Sequence, residues 1–85
     1  MLKLAKMPNI GKILEKRLLS IGITTSGELI EAGAEEAFIR LNILEGDTCL
    51  HTLYALEGAV QNIKKTNISP QRKTELKQFF YESYE

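Results

Sequence analysis

Two residue pairs in the chain have types suited to catalysis, and neither has the spacing for it. Cys49 and His51, the sole cysteine and the sole histidine, are two positions apart. On a helix that separation turns the side chains to different faces, so a thiolate–imidazole pair is not expected. Cys49 instead falls on an apolar stripe and reads as a small core residue. Glu35-Glu36 sits in the first turn of a helix, where the dipole favours carboxylates without any acid–base role. No set of cysteines and histidines has zinc-ligand spacing, and no Walker-type phosphate loop is present. No catalytic residue, metal or cofactor is expected.

A third constellation points to binding. Pro8-Asn9-Ile10-Gly11 is a tight turn that opens into a helix, a geometry that aims backbone amides at a phosphate. Lys6, Lys12 and Lys16 flank it. Lys6, Asn9, Ile10, Gly11, Lys12 and Lys16 are therefore the candidate nucleic-acid-binding residues, gripping backbone without reading bases. A hairpin kept solely to pack two helices explains the same residues. Asn tolerates left-handed backbone, but Asn9 adds a side chain where the phosphate would come closest.

Helices must position these groups. A helix from about Gly11 to Ser20 carries Leu14 and Leu18 at helical spacing with Ile10 and Ile21, and Gly22 lies just past its end. Thr25-Ser26-Gly27-Glu28 is a capping box. It opens a short helix closed by Gly33, and a further helix spans Ala34 to about Leu44. The longest runs from about Thr48 to Ile63, with Cys49, Leu53, Leu56, Val60 and Ile63 as its stripe. Ser69-Pro70 starts the last, from which Leu76, Phe79 and Phe80 face inward. With a helical lead-in at Leu2, Leu4 and Ala5, the reading is all-α: a compact bundle of about five short helices with a helix-hairpin-helix-like N-terminal half.

Size and charge narrow the options further. Eighty-five residues allow one domain and little room for a deep pocket. Eleven basic and eleven acidic residues cancel, which disfavours a strong general polyanion binder. The balance is uneven along the chain: residues 1–20 carry a net +4, 21–47 a net −5 and 48–85 a net +1. No apolar run approaches the ~20 residues of a membrane helix, and no secretory signal is visible. The single cysteine and these absences make a cytoplasmic protein the expectation.

The chain also resembles a known family. Pro8-Asn9-Ile10-Gly11, Gly22-Ile23-Thr24, Gly33-Ala34 with Glu36-Ala37, and Leu53-Tyr54-Ala55-Leu56-Glu57-Gly58-Ala59 look together like the C-terminal domain of the TfoX/Sxy family. The last string is the most specific. Leu18 to Leu29 also resembles part of the C-terminal domain of the bacterial RNA polymerase α subunit. The TfoX resemblance covers nearly all of residues 1–85 and implies one helical domain. Relatives with an additional N-terminal domain regulate natural competence, and this chain has no room for that domain. Family members often carry a Trp soon after the Glu-Gly-Ala string, where this chain has Lys64-Lys65-Thr66. Within the string, Gly58 costs a helix roughly 1 kcal/mol relative to Ala, which implies another helix backbone close by. Tyr54 reads as a core residue with its hydroxyl at the rim; Glu57 is left open.

Two functions follow. One is a non-catalytic regulatory or protein-interaction domain whose partner is another protein. The alternative is weak, sequence-independent binding of a DNA or RNA backbone through the Pro8–Gly11 hairpin and nearby lysines. The arrangement of Lys6, Lys12, Lys16 and Arg17 around the hairpin separates them.

Overall fold

The computed structural model describes residues 3–46 and 48–83, so Leu2 and Asp47 lie outside the described residues. Four α-helices account for most of them: α1 (Lys12–Ser20), α2 (Ser26–Glu45), α3 (Leu50–Gln61) and α4 (Pro70–Glu82). Short 3-10 turns at Leu4–Lys6 and Lys65–Asn67 precede α1 and α4. No strand occurs among the described residues, and no described helix is long and apolar enough to cross a membrane.

The count is four rather than five because the two helices expected on either side of Gly33 form one run. That run is broken within itself. Gly33 adopts φ 83°, ψ 164°, a non-helical conformation open essentially to glycine alone, so two helical segments meet there at a kink, at the boundary the sequence placed. The helix-hairpin-helix likeness of the N-terminal half also goes no further than the turn. What precedes Pro8–Gly11 is one 3-10 turn, Leu4–Lys6, too short to act as a first helix.

Local signals set the other boundaries. The Thr25 hydroxyl accepts from the Glu28 amide (3.2 Å), and the Glu28 carboxylate accepts from the amides of Thr25 (3.1 Å) and Thr24 (2.8 Å). Gly22, at φ 86°, ends α1: its amide donates to Leu19 O and that of Ile23 to Leu18 O, a Schellman closure. Ser69 Oγ accepts from the Arg72 amide, with Pro70 at the first helical position. Thr48 is buried, but it does not cap α3. Its hydroxyl donates to Asn42 Oδ1 (2.9 Å), tying the turn back to α2, and Cys49 occupies the cap position.

The core runs through all four helices. Leu18, Leu29, Phe38, Leu41, Leu53, Leu56 and Leu76 are fully buried, joined by Leu4 and Ile23 from the connections. Phe79 and Phe80 of α4 meet the Phe38 ring at centroid distances of 6.3 and 5.7 Å. One charged residue enters this interior. Glu57 of α3 is only 7% exposed and receives Arg72 Nη2 at 2.9 Å and the Gln61 side-chain amide. The same Arg72 reaches Glu35 of α2 (2.9 Å) and Glu75 of α4 (3.2 Å), so one guanidinium ties three helices.

Burial alone would raise the Glu57 pKa, but the hydrogen bonds from Arg72 and Gln61 outweigh it and hold the carboxyl below its ordinary value. Glu28 is lowered as well, by the Thr24 hydroxyl and amide above all. A carboxyl depressed in the folded state supports stability above the unfolded pKa, about 4.3 for glutamate, and loses that support as pH falls through the folded value. The melting temperature should therefore drop below about pH 4.3. Glu57→Gln should lower it at neutral pH and shrink the acid-induced drop, measured by circular dichroism; an unchanged drop would exclude Glu57 as its source.

Candidate interface at the start of the first helix

The six candidate binding residues divide into two groups. Asn9 and Ile10 work inside the protein. Ile10 is 6% exposed and belongs to the core. Asn9 takes left-handed backbone (φ 69°) and sends its side chain across to the end of α3. There Nδ2 donates to Ile63 O (2.9 Å) and more weakly to Ala55 O (3.4 Å), while Oδ1 accepts from the Lys65 amide (3.0 Å). A carboxamide is one of the few groups that can donate and accept at one backbone bend in this way. It does not point at an external phosphate.

This contact also explains Gly58. The neighbour that demands a glycine is not another helix, as the sequence suggested, but the Asn9 side chain and the backbone just after α3. A β-carbon at position 58 would clash with Asn9 Nδ2 and lie 2.7 Å from Ile63 O and 3.2 Å from Lys65 N. Asn62 (φ 61°) brings that backbone round: Ile63 N donates to Gly58 O (2.8 Å) and Asn62 N to Ala59 O (3.1 Å).

Lys6, Gly11, Lys12 and Lys16 are exposed. Gly11 is the N-cap of α1 and offers no side chain to the first-turn amides. Beside it lies a groove of about 510 Å³, lined by Gly11, Lys12, Ile13, Leu14 and Arg17 on one side and His51, Thr52, Ala55 and Lys65 on the other. The structure brings Lys12 and Arg17 into this groove. Lys6 and Lys16 do not line it; Lys16 lies on the adjoining surface with Glu15. Lys65 and His51 are additions the sequence did not suggest, delivered by the turn that Asn9 holds and by the first turn of α3.

No described carboxylate lines the groove. None of the eight lysines forms an ion pair with another described residue, whereas Arg17 Nε is bonded to Glu45 (2.9 Å). Ile13, at 79% exposure, stands at the edge of an otherwise amphipathic helix.

Cys49 is not a core residue. It is exposed, at the N-cap of α3, with Sγ 3.4 Å from Thr52 Oγ1. That hydrogen bond chiefly, helped by nearby backbone amides and opposed by partial burial, lowers the thiol pKa from its ordinary value. His51 is exposed as well, and among the described residues no group of three or more His, Cys, Asp or Glu could hold a metal ion. Tyr54 packs against the core with its hydroxyl 3.5 Å from Lys73 O.

With this geometry the family is decided by comparison. Residues 1–80 match the TfoX C-terminal domain. The chain belongs to that family. The TfoX C-terminal domain described here is also similar to two solved structures from Listeria monocytogenes. One is an uncharacterized protein in a triclinic crystal form, 45% identical with a TM-score of 0.89, covering 91% of this chain and 88% of that one. The other is a protein of unknown function in a tetragonal form, 45% identical with a TM-score of 0.91, covering 96% and 100%. No curated protein matches the chain.

Three substitutions test this layout. Gly58→Ala should destabilise the domain by about 1–3 kcal/mol despite the better helix propensity of alanine, because the methyl meets backbone that cannot swing away. Asn9→Gly keeps the left-handed backbone but strands Ile63 O and Lys65 N, at a cost of about 1–3 kcal/mol. Cys49→Ala should leave stability within about 0.5 kcal/mol of the parent, as for other exposed positions. Chemical denaturation reads all three; a neutral Gly58→Ala would contradict the close approach.

Proposed function

We propose that the chain is a non-catalytic protein-interaction domain of the TfoX C-terminal type, with a regulatory role, and that it meets its partner through the groove between α1 and α3. The observation that carries this reading is the composition of that groove. Ile13, Leu14 and Ala55 give its lining an apolar part, and Lys12, Arg17 and Lys65 line it with no described carboxylate among them. Ile13 is 79% exposed there, beside lysines that pair with no described residue, and a partner with apolar and acidic groups would use both.

Nucleic-acid backbone is the second reading. The uncapped amides of α1 and the unpaired Lys12 and Lys65 favour it. Against it, Asn9 and Ile10 turn inward, which leaves few groups to neutralise phosphates. Acidic residues also lie close by on α2, where Glu28, Glu31 and Glu36 line a separate groove.

A titration with duplex DNA at low and moderate salt decides between them. The interaction reading predicts binding no tighter than roughly 10⁻⁴–10⁻⁶ M at physiological salt, with a shallow logarithmic salt slope on the order of −2 to −4. Lys12→Glu with Lys16→Glu should abolish that residual binding. Lys65→Glu should weaken it too, while Lys64→Glu should not. Tighter, salt-resistant binding of DNA would establish the second reading instead.

A further inference from the structure

The groove's charge and its apolar residues ask for two different things of one ligand. Lys12 of α1 and Lys65 beyond α3 both line the groove, neither paired with a described residue, and His51 adds a further nitrogen base from α3. Arg17 lines the groove too, but its Nε is bonded to Glu45 (2.9 Å), so the free positive charge comes from the two lysines. A ligand carrying negative charge is therefore attracted by both. Ile13, Leu14 and Ala55 line the same groove, and they gain nothing from phosphate oxygens. They gain from an aliphatic or aromatic side chain, because burying apolar surface is what such residues reward.

Nucleic-acid backbone satisfies the first demand and leaves the second unmet. An acidic peptide with an apolar residue among its carboxylates satisfies both. We infer that the groove docks a short acidic segment of a partner protein, anchored by at least one apolar side chain against Ile13, Leu14 and Ala55. This rests on the reading of the domain as a protein-interaction module and names the partner's chemistry. The groove on α2 provides the internal contrast. It is lined by Glu28, Glu31 and Glu36, and its one arginine, Arg40, is already paired with Glu36 at 2.8 Å. An acidic segment is repelled there and attracted at the α1–α3 groove.

The test uses the full chain and a fluorescent peptide of roughly 15 residues, rich in glutamate, with leucines at helical spacing. A second peptide replaces every leucine with serine at the same net charge, and a third probe is single-stranded oligothymidine of equal length. Anisotropy at about 0.15 M salt, where long-range charge effects are screened, should show the leucine peptide binding at least about tenfold tighter than either control. Lys12→Glu, Lys65→Glu and Ile13→Ser should each weaken it about tenfold or more, whereas Lys64→Glu should leave it unchanged. Ile13, Lys12 and Lys65 are exposed, so circular dichroism should show these variants folded. Amide shift changes on adding the peptide should fall on residues 11–17, 51–55 and 65.

Equal affinity for the leucine and serine peptides would reduce the site to a charge patch and overturn the inference. Absence of binding by all three probes would overturn it as well. Shifts centred on the exposed Ile39, Ile43 and Leu44 of α2 would do the same while leaving the interaction-module reading intact. Tighter binding of the oligonucleotide than of either peptide would overturn both.

Discussion

The side chain of Asn9 is the contact on which the arrangement of the two chain ends depends. It leaves a left-handed turn before α1 and bonds backbone groups on both sides of the bend that follows α3, at Ile63 O and Lys65 N. Backbone groups at a bend between helices have no ladder to join, and leaving the partly buried Ile63 O unpaired is costly. One carboxamide supplies both missing partners. Its approach is possible only because residue 58 lacks a β-carbon.

Two other features follow from this clasp. Lys65 starts the 3-10 turn that leads towards α4, and the clasp fixes where that turn begins. It thereby brings Lys65 into the groove that Lys12 also lines. The clasp also engages the half-buried Asn9 side chain with the protein's own backbone, so the groove presents cations and apolar residues rather than a phosphate cradle. A second tie, independent of the first, holds the far side of α3. There Arg72 joins Glu57, Glu35 and Glu75, and the buried Glu57 is stable as an anion because of it. In the Leu53–Ala59 string, then, adjacent residues serve opposite flanks: Glu57 faces the arginine and Gly58 faces the asparagine. This gives the family's most specific string a physical meaning without assigning it a ligand.

What could be read in the sequence was local. The capping box at Thr25–Glu28, the Ser69–Pro70 start and the Gly22 stop each involve residues a few positions apart, and each stands in the structure as written. The apolar periodicity of α3 also held for Leu53 and Leu56. It failed at Cys49 because that residue precedes the helix with extended backbone, φ −105° and ψ 166°, where helical phase no longer says which way a side chain points. Gly33 was readable as a break, and non-helical backbone separates two helical segments there. The Asn9 contacts were out of reach, since their partners lie 54 and 56 positions away and no pattern in the chain marks them. Gly58 signalled a close approach but not what approaches. Lys65 belongs to the groove only through that same long-range contact. Half of the candidate site was thus legible as a lysine-flanked turn, and the other half is a product of tertiary folding.

The central claim is that Asn9 and Gly58 form one unit. A double-mutant cycle of Asn9→Gly and Gly58→Ala, followed by chemical denaturation, measures it directly. Removing the Asn9 side chain takes away the group a β-carbon at 58 would meet first and releases its hold on Ile63 O and Lys65 N, the backbone the methyl would meet next. The double variant should then be more stable than the sum of the two single losses predicts, by at least about 0.5 kcal/mol. Additive losses, agreeing within about 0.3 kcal/mol, would show that the two residues act separately and would contradict the account.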